Sequence, residues 1–153
     1  MTLKQQLSIY LEQGRVMQIA TVRDNRPWIC TVFYVVDSEY NFYWLSLPMR
    51  RHSQDIKANP RAAITLAVKQ DLPVIGIYAE GEVSATKDQA EVKKVATAYV
   101  EKHNAATTFY DRFTKGINQH WVYKLKPSSI TLFDEYNNKD KPVQTFTIVK
   151  SKK

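Results

Sequence analysis

Short runs of alternating or continuous apolar residues, bounded by turn residues, occupy most of the chain, and this pattern is typical of β-strands. Before them, residues 3–13 repeat apolar side chains at helical spacing and end at Gly14, which predicts an amphipathic helix. The strand-like runs lie at residues 16–22, 28–36, 42–47, 61–68, 74–85, 119–127 and 129–135, with 144–149 as a last candidate. We therefore expect a sheet of about six to seven strands.

Turn residues indicate how these strands connect. Asp24 and Asn25 separate the first two runs and predict a hairpin. Gly76 and Gly81 interrupt the run 74–85, where we expect β-bulges or a close backbone approach. Strands joined by short turns favour an antiparallel sheet closed into a small barrel over a doubly wound parallel fold.

Peripheral helices are predicted at three further places. Residues 53–59 form one or two helical turns that end before Pro60. Thr86, followed by Gln89, resembles a capping box, and the helix after it runs to about His103. Residues 105–116 fit either a short helix packed on the barrel or a loop that covers a ligand. The prediction is a mainly β protein with helices around the sheet.

The length of 153 residues predicts a single domain spanning residues 1–153. One cysteine, Cys30, excludes an internal disulfide and indicates a reducing compartment. The N-terminus lacks the apolar run of a signal peptide, and no stretch approaches the roughly 20 apolar residues of a membrane span. We expect a cytoplasmic protein without a membrane partner.

A formal charge of +7 raises the question of nucleic-acid binding. The basic residues are spread along the chain, however, with clusters only at Arg50–Arg51 and in the tail 150–153, which we expect to be flexible. No helix-turn-helix, zinc-finger or RNP pattern is present. Nucleic-acid binding is therefore the weakest of the functional alternatives.

Metal-site and nucleophile patterns are missing from the sequence. His52, His103 and His120 lie far apart in the chain, and Cys30 has no partner at ligand spacing, so we predict no metal site. There is no G-x-S-x-G motif, and the sequence identifies no catalytic residue.

The segment RRHS at residues 50–53 is the candidate binding site. Arg50, Arg51 and His52 stand where the short helix begins, although a helix start favours acidic side chains. A bound anion would resolve this conflict, because free N–H groups and basic side chains converge there. The two adjacent strands before this segment, at 28–36 and 42–47, carry aromatic and small polar residues, and this combination suits a flat aromatic phosphate ester. The alternative is that these three side chains simply point into water.

Four segments in this order resemble the flavin-binding split-barrel superfamily typified by pyridoxamine 5′-phosphate oxidase, and above all its small, uncharacterised bacterial members. They are RPWICTVFYVVD, FYWLSL, RRHSQDIKANPRAAI and YAEGEVSA, and the resemblance spans about residues 14–135. It implies a six- to seven-stranded antiparallel split β-barrel of Greek-key type. It also implies a homodimer that holds two FMN molecules in clefts at the subunit interface.

The resemblance assigns the FMN contacts to two neighbouring strands and the short helix. The main chain of one strand would line the isoalloxazine ring, the end of the next strand would approach the ring or ribityl chain, and two basic residues would take the place of the family's phosphate-binding Arg-Lys pair. In chain order these residues are Thr31, Val32, Phe33, Tyr34, Leu45, Ser46, Arg51 and His52.

Three departures from the oxidase pattern weigh against true pyridoxamine-phosphate oxidase activity. Gly76 replaces a glutamine, Ile29 replaces a basic residue, and His52 replaces the lysine of the phosphate pair. We expect an FMN-binding protein, with flavin-dependent oxidoreductase activity on an unknown substrate. The alternative is a non-catalytic protein that binds flavin, haem or another phosphate ester in the same cleft, where haem would require His103 or His120 as ligand.

Overall fold

The computed structural model describes residues 1–115 and 119–149. The described elements, in chain order, are α1 (Leu3–Gln13), β1 (Val16–Arg23), β2 (Arg26–Phe33), β3 (Val35–Val36), β4 (Phe42–Ser46), α2 (Arg51–Ala58), β5 (Arg61–Lys69), β6 (Ile75–Thr86), α3 (Gln89–His103), α4 (Thr107–Thr114), β7 (Trp121–Asp134) and β8 (Val143–Thr147). The tail at residues 150–153, which we expected to be flexible, lies outside this described part.

All the strand pairs are antiparallel, in the order β2-β1-β5-β6-β7-β4-β3, and β8 also pairs with β7. The strands at the two ends of this order, β2 and β3, are separated in the chain by Tyr34 alone. The sheet must therefore curl until its ends meet. This confirms the mainly β, antiparallel split barrel of Greek-key type.

The described strands number eight, more than the six to seven expected. The run at 28–36 divides at Tyr34, because that residue turns its side chain fully into the core. The runs at 119–127 and 129–135 form one strand, so the predicted end at Pro127 is wrong. On one edge of β7, β4 pairs up to Leu125 and β8 pairs from Ser129. Pro127 lies in the gap between them, where its missing N–H costs no ladder bond.

Both glycines of β6 stand at irregular pairings, as predicted. The register with β5 shifts beside Gly76, and the register with β7 shifts between Glu80 and Gly81. A Cβ on Gly81 would overlap the carbonyl oxygen of Lys126. The hairpin prediction is also confirmed, since the turn residues Asp24 and Asn25 both have positive φ.

The helices close the barrel and cover one of its sides. Leu7 and Leu11 of α1 are buried against the barrel core, and α3 and α4 pack in a second cluster that includes Phe113. The capping-box prediction at Thr86 is wrong, because the carboxylate of Asp88 accepts the first-turn N–H instead. No helix of the described residues is both long and apolar enough to cross a membrane.

The segment at 105–116 contains α4, which ends at Thr114, while Gly116 lies outside the described residues. Phe113 is buried, and the Phe109 ring stacks on Tyr99 of α3 at 5.7 Å. These contacts favour the packed helix over the covering loop.

Candidate functional site

The start of α2 has the features of an anion-binding site. The helix begins at Arg51, two residues earlier than predicted, so the basic residues stand in its first turn. Arg50 occupies the N-cap position without a side-chain hydrogen bond, and the first turn contains no acidic residue. The first N–H groups of the helix thus lack a side-chain acceptor, and the helix dipole adds partial positive charge.

A buried carboxylate organises the side chains next to this helix start. Asp55 is 1% exposed, and its Oδ2 accepts a hydrogen bond from Thr21 Oγ1 at 3.0 Å. Its Oδ1 lies 3.2 Å from Arg23 Nε, and its Oδ2 lies 3.8 Å from Arg51 Nε. The Arg51 guanidinium also lies over the Trp28 ring, 4.3 Å from its centroid. Two arginines from different elements are thereby held at one place.

His52 and Ser46, both predicted site residues, are brought together by the fold. His52 Nε2 lies 2.6 Å from Ser46 Oγ, and both side chains are buried. Burial, assisted by the charge of Arg50, lowers the pKa of His52 below its ordinary value of 6.5. His52 is therefore neutral at pH 7, and the positive charge at the helix start comes from the arginines.

The strand β2 offers an open edge beside this charge. It pairs only with β1 among the described residues and lies at one end of the strand order. Thr31 and Phe33 are exposed, whereas Val32 is partly buried against the core. The unpaired main-chain groups of this edge can meet the polar rim of a ring, as the resemblance implied.

Tyr34 and Leu45 direct their side chains away from this open edge. Tyr34 is fully buried, and its hydroxyl donates to the Leu11 carbonyl oxygen at 2.7 Å. Burial, which is the main cause, raises the pKa of Tyr34. Leu45 packs on the opposite face of β4 from Ser46, against the cluster formed with α3 and α4. The Tyr34 main chain is engaged as well, because its N–H donates to the Arg15 carbonyl oxygen at 3.3 Å and its carbonyl oxygen accepts from His103.

The His103 ring already makes a hydrogen bond and aromatic contacts within the protein. Its Nε2 donates to the Tyr34 carbonyl oxygen at 2.8 Å, and its ring packs against Phe33 and Tyr99. Its Nδ1 is buried and has no hydrogen-bond partner within the part of the chain that the structure describes. Burial lowers the pKa of His103, as it does for His120. His103 would have to break this partly buried hydrogen bond to free Nε2 for iron.

Two surface cavities lie beside the candidate site, one next to Thr21 and the other next to Pro48 and Met49. One of about 670 Å³ lies on the outer face of the sheet beside Ala20, Ala63 and Gly81. The other, of about 400 Å³, lies between Met49, Phe113 and Trp121. Neither is lined by Arg51 or His52, and the Arg51 side chain is 44% exposed, so the described residues leave this side chain open to solvent.

No group of three or more histidine, cysteine or carboxylate residues is placed to hold a metal ion in residues 1–115 and 119–149. Sequence reasoning found Arg51 and His52 but missed Arg23, Thr21 and Asp55. Their contacts join positions about 30 residues apart, and no local pattern signals such a pairing.

Comparison with known proteins identifies one family. The profile of the pyridoxamine 5′-phosphate oxidase family matches residues 3–134. No curated protein sequence matches the chain.

Solved structures share the fold at low sequence identity. The heme storage protein HutZ from Vibrio cholerae aligns with a TM-score of 0.68 at 17% identity, over 83% of this chain and 91% of that one. General Stress Protein 26 from Bacillus anthracis str. Sterne gives 0.72 at 18%, over 96% and 99%. A conserved hypothetical protein from Mycobacterium tuberculosis gives 0.73 at 12%, over 85% and 83%. At such identities the likeness concerns the fold alone.

Proposed function

Because the chain belongs to the pyridoxamine 5′-phosphate oxidase family, we propose that it binds FMN and acts as an FMN-dependent oxidoreductase. The observation that carries the proposal is the uncapped, basic start of α2 beside the open edge of β2. A helix start with arginines suits the phosphate of FMN, and the free edge of a strand suits the polar rim of its ring.

The described residues fit this cofactor. Arg51 has a side chain that is 44% exposed, so its guanidinium can reach an anion in solution. The outer edge of β2 has no strand partner among the described residues, so its main-chain groups can meet the polar rim of the ring. When bound, FMN supplies hydride and electron transfer. The protein holds its phosphate, orients its ring through main-chain groups and excludes water from it.

The same proposal includes a homodimer. The outer face of the β1–β2 hairpin exposes Val16, Val22, Ile29 and Phe33, and in the strand register Val16 lies opposite Phe33. The polar pair Gln18 and Thr31 separates these two residues from Ile29, so the face combines exposed apolar side chains with polar ones. A second copy of the chain would cover it and would enclose the candidate site, which one chain leaves open.

Binding without turnover is the competing function, and haem is its other ligand. It is favoured by the fold shared with a heme storage protein. Against it, the Nε2 atom of His103, one of the two histidines that could ligate haem iron, holds a hydrogen bond to the Tyr34 carbonyl oxygen. The start of α2 also has no role in ligating iron. FMN therefore explains more of the site than haem does.

The test is a set of titrations of the purified protein with FMN, riboflavin and haem, after its visible spectrum has been recorded. We expect flavin absorption or FMN uptake, with FMN bound at least about tenfold more tightly than riboflavin, because only FMN has the phosphate. Absence of FMN binding, or equal affinity for the two flavins, would overturn the proposal. Reduction of the bound flavin by NADH or NADPH would then separate an enzyme from a binding protein.

A further inference from the structure

We propose that Arg23 is a second phosphate-binding residue of this site, held beside Arg51 by Asp55. The inference rests on the proposed FMN site and adds to it a residue from β1, outside the segments that the resemblance assigned. Arg23 would supply a second positive charge for the phosphate, in addition to the charge of Arg51.

The need for a second cation follows from the protonation state of His52. The phosphate of FMN carries close to two negative charges at pH 7. Burial lowers the pKa of His52, and its Nε2 is hydrogen bonded to Ser46 Oγ, so this ring adds no charge at neutral pH. The fold brings Arg23 to the same carboxylate as Arg51, and this supplies the missing guanidinium.

The geometry leaves both guanidinium groups open to an anion. Asp55 meets Arg23 and Arg51 through their Nε atoms, so their terminal Nη donors remain to bind other groups. The two side chains are 42% and 44% exposed, whereas Asp55 is 1% exposed. The carboxylate thus supports the pair from inside the protein while the donors reach the solvent.

Each member of this pair is fixed in place before any ligand arrives. The Thr21 hydroxyl donates to Asp55, and the Trp28 ring lies under the Arg51 guanidinium. Asp55 cancels only one of the two arginine charges, and the adjacent helix dipole adds to the excess. Each guanidinium offers a planar pair of N–H donors that can bind a phosphate through two hydrogen bonds, and the two groups together keep a net positive charge.

The experiment compares Arg23→Ala with Arg26→Ala. Arg26 is the cross-strand partner of Arg23 in the hairpin, so the control removes the same charge three positions along the chain, across the turn. We expect Arg23→Ala to weaken FMN binding by about tenfold to a hundredfold and to leave riboflavin binding unchanged. We expect Arg26→Ala to change FMN binding by less than about threefold.

A second variant separates loss of the phosphate contact from misfolding, because Arg23→Ala also removes a partner of a buried carboxylate. Arg23→Lys keeps the charge but loses the planar fork, and we expect it to weaken FMN binding by less than Arg23→Ala does. Unchanged FMN affinity in both variants, or equal losses for FMN and riboflavin, would overturn the role of Arg23. If the unmodified protein binds no FMN, the proposed function itself fails, which is a separate outcome.

Discussion

Single residues decide the charge at the start of α2. His52 stands where the related oxidases carry a lysine, yet its ring is buried and neutral, bonded to Ser46. Arg51 is the exposed cation of the first turn, and its guanidinium is positioned by Trp28 and Asp55. The site therefore depends on arginine geometry rather than on the basic tripeptide as a whole.

At this scale, Arg51→Ala tests the phosphate contact. We expect the substitution to lower FMN affinity by about 1.5–3 kcal/mol, the worth of a charge-assisted hydrogen bond. Riboflavin lacks the phosphate, so its affinity should stay the same. Fluorescence titration of both flavins measures the difference, with a thermal melt to show that the variant is folded. Equal losses for the two flavins would contradict a phosphate role for Arg51.

The sequence located the helix-start residues of the site but not their supports. Arg51 and His52 could be predicted because the helix, Pro60 and the charge pattern are local signals. Asp55 could not, since its partners on β1 lie 32 and 34 residues earlier in the chain, at Arg23 and Thr21. Tyr34 was expected to line the ring through its main chain, and this stays a prediction, while its side chain belongs to the core.

Among the elements, the contact between β6 and β7 sets the strictest limit on side-chain size. Their ladder is the longest in the sheet, and it shifts register where Gly81 faces Lys126 and Pro127. The backbone of β7 comes so close at this place that only a glycine fits. Both strands contribute to the barrel wall, so the bulge sets the curvature on which the whole sheet depends.

The substitution Gly81→Ala tests this contact, with Gly76→Ala as a control in the same strand. The new Cβ of Gly81→Ala would overlap the backbone of Lys126, so we expect a loss of about 1–3 kcal/mol or more in the free energy of unfolding. At Gly76 the nearest atom is the Tyr78 hydroxyl, 3.2 Å away on a side chain that is 42% exposed and can move. The control should lose less than about 1 kcal/mol.

Urea unfolding of both variants gives these values. Equal losses at the two glycines would mean that the backbone approach at Gly81 does not limit stability.

The elements themselves followed from local signals, because alternation marks strands and turn residues mark their ends. The error at Pro127 had a non-local cause: the two strands that share one edge of β7 leave a gap there.

For the whole molecule, buried titratable groups make stability depend on pH. Burial lowers the pKa of the buried His52 and of the half-buried His103 below 6.5. Burial alone would raise the pKa of Asp37 and Asp134, but hydrogen bonds from Asn41 and Asn137 outweigh it and hold both values below 3.8. Each of these pKa shifts lowers the free energy of unfolding at acidic pH.

We expect the free energy of unfolding to fall as pH decreases from about 6.5 to 5. In that range the unfolded chain binds protons at its histidines more readily than the folded protein does, so protonation favours unfolding. The carboxylates add a further loss only below about pH 4. Urea unfolding at pH 8, 6.5 and 5 measures the trend. In His52→Gln the decline should be shallower, and an identical slope would exclude His52 as a source.

The pairing of β4 with β7 also fixes an order of events as the chain is made. Phe42 pairs with Leu125, so β4 has no strand on that side until more than half of the remaining sequence has been synthesised. The β1–β2 and β5–β6 hairpins are local and can form early, whereas closing so long a loop is slow. Until β7 has been synthesised and has paired with β4, the apolar side chains of β4 are uncovered. The interior of the barrel is therefore closed late in folding.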